Sequence, residues 1–132
     1  MTVNVSDYLK FRLLTTASGN SSWNLDNARY IWLFNDVDNQ LEFQLNQGAS
    51  YLAAELTALD YEPKEVTFNG EGSNHAVSFP PAQSNWGRIT HIAVFGQYNQ
   101  HCFFWKRLPE PIEIFTGDII SFPYNYLKIT LT

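Results

Sequence analysis

Hydrophobic and polar positions alternate over short stretches along most of this chain. The clearest case is the C-terminal run, where Leu127, Ile129 and Leu131 face one way and Lys128, Thr130 and Thr132 the other. That period of two belongs to a half-buried strand. Leu41, Phe43 and Leu45 alternate with Glu42 and Gln44 in the same way and predict another. Apolar runs of strand length cover 30–34, 65–68, 76–79, 89–95, 102–106, 112–115 and 119–122. Between them lie turn-forming clusters, among them Asn35-Asp36-Val37-Asp38-Asn39, Asn69-Gly70-Glu71-Gly72 and Thr116-Gly117-Asp118. Many short strands about ten residues apart predict an all-β fold, an antiparallel β-sandwich of jelly-roll type.

Two segments depart from simple alternation. Ile89, Ala93 and Phe95 would share one face of a strand, with Ile92 and Val94 on the other, so both faces are apolar. Such a strand is central, covered either by the chain itself or by another subunit. Near the N-terminus, Val5, Leu9 and Leu13 fall at a spacing of four, behind Ser6 as a helix cap and Asp7 in the first turn. A short helix is expected from Val5 to Leu14, followed by a polar loop, so that residues 1–28 form an N-terminal packing or attachment element on a single domain of residues 1–132. Residues 50–59 suit either a short helix or a strand.

The length of 132 residues fits one domain able to bury roughly two-thirds of its unfolded surface without a disulfide or metal staple. Ten Phe, seven Tyr and four Trp favour pleated sheet. Charged residues are 16%, against about 25% in a typical soluble domain, and this suits either a surface partly covered in an oligomer or a thick sandwich core. The net charge of −5 argues against nucleic acid, since the basic residues make no patch beyond Lys106-Arg107. No apolar run approaches the ~18 residues of a membrane span, and no secretory signal is expected at the start of the chain. Cys102 has no cysteine partner and falls in an apolar strand, where a thiol is usually a small buried hydrophobe.

Catalytic grammar is missing. His75, His91, His101 and Cys102 contain no pair at metal-ligand spacing, and adjacent residues of a strand face opposite ways. No nucleophile elbow appears, and no local pattern selects a pair of carboxylates from thirteen acids. The expectation is therefore no enzyme, no metal and no cofactor. Exposed aromatics offer a different kind of site: Trp86 beside Gly87, and Tyr98 in the turn after Gly96, are candidate glycan-stacking residues. The alternative for Trp86 is that it pins its loop to the edge of the sandwich.

The segment Phe79 to Phe95 carries a resemblance. Phe79-Pro80, Ala82, Trp86-Gly87, Thr90-His91 and a strand ending at Phe95 resemble the small tail-fibre-like proteins of tailed bacteriophages. The order continues with Ser6-Asp7-Tyr8-Leu9, Leu13-Leu14, Leu33-Phe34, Glu55-Leu56-Thr57, Tyr61, Val66-Thr67-Phe68, Gly117-Asp118 and the run from Leu127 to Leu131. Three features depart from that pattern. Ala58 and Asp60 stand where the family usually has glycines, residues 35–50 form a longer insertion, and the segments 102–105 and 122–126 are bulkier. The resemblance implies a non-enzymatic virion structural protein, of tail-fibre or capsid-decoration (cement) type, made in the bacterial host cytoplasm. Implied partners are copies of itself, as a homotrimer, and phage capsid or tail proteins. The assembly candidates are Val5, Leu9, Leu13, Ile89, Ile92 and Val94. A carbohydrate-binding module recognising the host surface is the alternative.

Overall fold

Seven strands and one helix make up the elements of the described residues, which in this computed structural model are 3–7, 28–48, 52, 54–69, 72–96 and 101–127. In chain order they are β1 (Asn4–Val5), β2 (Ala28–Phe34), α1 (Leu41–Asn46), β3 (Lys64–Glu65), β4 (Val77–Ser78), β5 (Gly87–Gly96), β6 (Cys102–Ile114) and β7 (Ser121–Phe122). Every pairing is antiparallel. Five strands form one sheet in the order β1-β6-β5-β2-β3, and β4 pairs with β7 in a second. The fold is an antiparallel β-sandwich, as the alternation predicts.

β5 lies at the centre of the large sheet, and its side chains from Ile89 onward are buried on both faces. The chain covers both faces itself. On one, Ile31, Leu33, Ile92, Val94 and Phe104 pack against Phe79, Phe122, Leu127 and Tyr61 in the main core. On the other, Phe34, Ala93, Phe95, Cys102 and Trp105 pack against Leu41 and Leu45 of α1 and against Leu52.

α1 corrects the expected strand at Leu41–Leu45. The series Leu-Glu-Phe-Gln-Leu satisfies a period of two, but Leu41 and Leu45 are also four apart and so stack on one face of a helix. Both are buried, while Phe43 is 63% exposed. The preceding turn sets the helix up: Asp36 Oδ1 accepts from the Asn39 amide, Asp38 Oδ1 accepts from the Gln40 amide, and Asn39 takes a φ of 61°. Burying a second sheet face calls for a cover, and α1 is that cover.

Two bulges break the β5–β6 register. Val94 faces Phe104 and Phe95 faces Cys102, so Phe103 is an extra residue. Further along, Ile89 faces Ile112 and His91 faces Arg107, leaving Thr90 opposite Leu108-Pro109-Glu110-Pro111. The second bulge also corrects a face assignment. Ile89 joins Ile92 and Val94 in the main core, not Ala93 and Phe95 as strict alternation requires. The runs expected separately at 102–106 and 112–115 thus merge into one strand.

The N-terminal expectation is also revised. Val5 is not the start of a helix: it pairs with Phe104 in β1, and Val3 beside it is 6% exposed in the main core. Ser6 continues the attachment, its amide donating to Phe103 O at 2.9 Å and its hydroxyl to Cys102 O at 2.7 Å. Asp7 has helical backbone; the rest of the expected helix, with Leu9 and Leu13, lies outside the described residues. The final strand does too, apart from Leu127, which is buried.

The small sheet is extended by single bonds around the Pro-Pro step. Prolines cannot donate to a ladder, and pairing resumes on either side of them. The Phe79 amide donates to Ile120 O, the Ala82 amide to Asp118 O, and the Gly117 amide to Ala82 O. At the other end Asn74, fully buried, ties down the C-terminal turn: its Nδ2 donates to His75 O and Pro123 O, and its Oδ1 accepts from the Leu127 amide.

Candidate functional site

A cavity of about 320 Å³ opens where the end of β2, the turn into α1 and the start of β5 meet. The upper part of β2 lacks a neighbouring strand beyond β3, and residues 54–56 take its place. Asn35 N donates to Ala54 O at 2.8 Å, Leu56 N donates to Leu33 O at 3.2 Å, and Phe34 bridges Glu55. These bonds fix one wall, made of Ala54, Glu55, Leu56 and Thr57. The turn contributes Asn35, Val37 and Asp38, and α1 contributes Gln44. Trp86, Gly87 and Arg88 complete the lining. Gly87 has a φ of +92°, a backbone conformation that side-chain-bearing residues rarely adopt, and it turns the chain out of the Trp86 loop into β5.

The lining mixes charges. Asp38 and Glu55 are acidic, Arg88 is basic, and Asn35, Gln44 and Thr57 are neutral and polar. Burial pushes the Glu55 carboxyl above its ordinary range, although the Tyr61 hydroxyl, donating to Oε2 at 3.2 Å, pulls the other way. That hydroxyl also accepts from the Leu33 amide at 3.0 Å. Tyr61 thus satisfies the β2 edge and orients the cavity acid together. Asn35 Oδ1 is shielded from solvent and accepts no hydrogen bond from any described residue.

Asp60 holds the loop that carries Trp86. Its carboxylate accepts from the Ser84 hydroxyl, from the Gln83 amide at 2.7 Å and from Trp86 Nε1 at 2.9 Å. These bonds, the Ser84 hydroxyl first, lower the Asp60 pKa to about 2. Trp86 is 7% exposed and meets Tyr61 edge-on at 5.6 Å. It therefore pins its loop, the alternative read from the sequence, while its other boundary is the cavity. Tyr98, the second aromatic candidate, lies outside the described residues.

Of the histidines, His91 has extensive bonding among the described residues. His91 is buried and bonded at both ring nitrogens: Nδ1 lies 2.8 Å from Thr90 Oγ1 and Nε2 2.7 Å from Glu42 Oε2. Arg107 Nε donates to the same Glu42 oxygen at 2.6 Å. Burial raises the Glu42 pKa, but the bonds from His91 and Arg107 outweigh it and leave the carboxyl below its ordinary range. Threonine, histidine and carboxylate in a row suggest a nucleophile relay. Thr90 is only 8% exposed, however, and its Oγ1 accepts from the Asp36 amide at 2.8 Å, so the row is a clamp from α1 onto β5 and β6. Cys102 is fully buried, and burial pushes its thiol far up. Among the described residues no group of three or more His, Cys, Asp or Glu is placed to hold a metal, and no helix is long and apolar enough to cross a membrane.

The assembly candidates divide. Ile89, Ile92 and Val94 are at most 2% exposed and belong to the chain's own core, so their burial needs no second subunit. Val5 is half-buried in β1, and Leu9 and Leu13 lie outside the described residues. Apolar side chains that do reach the surface include Ile112, Phe115 and Ile119, at 44%, 55% and 60% exposure. Sequence reading missed them because they were counted as strand residues with one buried face.

Residues 4–130 match the family model described as podophage GP4 fiber I protein gp80. The chain belongs to the gp80 fibre family. The match spans the whole sandwich and both walls of the cavity, and it bears out the resemblance to tail-fibre-like phage proteins. Membership in the gp80 family makes the chain a phage fibre-type structural protein and a component of the virion. No curated protein matches it.

Proposed function

We propose that this gp80-family chain is a non-enzymatic virion component that self-associates, as a trimer, and attaches to a larger capsid or tail assembly after synthesis in the host cytoplasm. The family match over residues 4–130 carries this reading. The surface supports self-association: charged residues are few, and Ile112, Phe115 and Ile119 expose apolar area within eight residues of one another. Contacts made only in the assembled state would stabilise the particle by mass action. Fibre and decoration roles share this physics and differ in partner. Quantifying the protein in purified particles and labelling it for electron microscopy separates them. A few copies at the tail are expected for a fibre; hundreds on the head would replace that role with decoration, and absence from particles would end the proposal.

A second partner, a host-surface glycan, is favoured by one observation. The cavity beside Trp86 combines polar and apolar lining, and backbone hydrogen bonds frame its 54–56 wall.

A further inference from the structure

We propose that the cavity between the β2–α1 turn and the start of β5 binds one neutral, hydroxyl-rich ring, a single sugar residue. This rests on the glycan reading above and gives it a location. Three observations carry it. The first is size: about 320 Å³ is at the small end of the range of about 300–1,000 Å³ typical of small-molecule sites, enough for one ring and not for a long oligosaccharide.

The second is charge. Arg88, Asp38 and Glu55 all line the cavity, so it carries both signs of charge. A cationic amine would meet the guanidinium, and a phosphate or carboxylate would meet two acids. A neutral polyol meets neither penalty, because each hydroxyl both donates and accepts. It can donate to the carboxylates and accept from Arg88 and from the Gln44 amide.

The third is an unused acceptor. Asn35 lines the cavity, and its Oδ1 is buried with no donor among the described residues. Buried polar atoms are ordinarily paired, and a ligand hydroxyl would pair this one if the Asn35 amide turned toward the cavity. Trp86 and Leu56 add apolar surface for the ring's C–H groups. The Trp86 indole N–H is already held by Asp60, so it contributes carbon surface and not a hydrogen bond.

Solution NMR on the full, isotope-labelled protein tests the assignment. The probes are methyl glucoside, methyl galactoside and methyl mannoside, with methylamine and inorganic phosphate as charged controls. At least one glycoside is expected to shift the Trp86 indole N–H and the Thr57 and Arg88 amides, while the controls leave them in place. Arg88→Ala, at an exposed position, should weaken that binding at least ten-fold, and Gln44→Ala should weaken it independently. The unchanged spread of the remaining amide signals shows that both variants fold. Shifts confined to residues away from the cavity would leave the glycan reading standing and overturn this location. Methylamine or phosphate shifting the cavity signals in place of the glycosides would overturn the neutral-ring assignment. No shift from any glycoside would overturn both.

Discussion

Tyr61 does the work of a missing strand with one oxygen. Its hydroxyl accepts from the Leu33 amide that a further strand would have paired, and donates its own hydrogen bond to Glu55. Tyr61→Phe keeps the ring packing against Phe79 and Trp86 but strands a buried amide. A loss of about 1–3 kcal/mol is expected by urea denaturation, with no change in the slope of the transition. Asp60 shows how far a single residue can escape sequence reading. It stands where the family resemblance leads one to expect glycine, yet it organises the Trp86 loop. Nothing local marks it, since its partners lie 23 to 26 residues away. Its pKa falls from 3.8 to about 2, so its contribution is present above pH 3.8 and disappears as pH drops toward 2. Asp60→Asn cannot titrate. The stability difference between the wild type and that variant should therefore be constant near neutrality and shrink between about pH 4 and pH 2. A difference independent of pH in melting experiments would remove the carboxylate's charge from the account.

At the scale of elements, strands were legible wherever apolar residues ran continuously or alternated without a competing period. β2, β5 and both halves of β6 were read in place for that reason. α1 was not, because five residues of Leu-Glu-Phe-Gln-Leu fit two periods equally and only the uncovered second face of the sheet decides between them. The four-residue bulge at Leu108–Pro111 was illegible for a related reason: a register is a property of two strands, and each strand alone looks regular. β1 is the element whose role changes most. The sequence suggests that the first residues form a detachable helix, whereas Val3 enters the main core and Asn4–Val5 pairs with β6. Removing residues 1–6 takes a buried valine from the core, worth about 1.5–3 kcal/mol, and uncovers the β6 edge at Phe104 and Trp105. The truncated protein should show a clearly lower urea midpoint. An unchanged midpoint would restore the segment to a purely attaching role.

For the molecule as a whole, the sandwich followed from many short strands, but the cavity did not. Its walls come from residues 35–44, 54–57 and 86–88, which only the packing of α1 and the substitute strand at 54–56 bring together. The two-sided apolar pattern of β5 also had two explanations in sequence, a covering subunit or a covering segment, and the chain supplies its own cover. The self-association proposed above would therefore use the outer surface. Light scattering on the purified protein should give three times the 15.2 kDa chain mass, and Phe115→Ser together with Ile119→Ser should shift it toward monomer while leaving the melting temperature of the sandwich nearly unaltered. A wild-type monomer at high concentration would confine trimerisation to the particle surface.

The pairing of β1 with β6 also sets an order of events in synthesis. Ser6 bonds to Cys102, 96 residues later in the chain. At translation rates of about 5–20 residues per second, β1 leaves the ribosome roughly 5–20 s before its partner exists. During that interval no finished sheet edge is available to it in its own chain. On a polysome, where identical chains emerge side by side, a completed β6 of one chain would offer the same edge to the waiting β1 of another. Any exchange of first strands between copies would then depend on the spacing of ribosomes and the pace of elongation as well as on the stability of the finished sandwich.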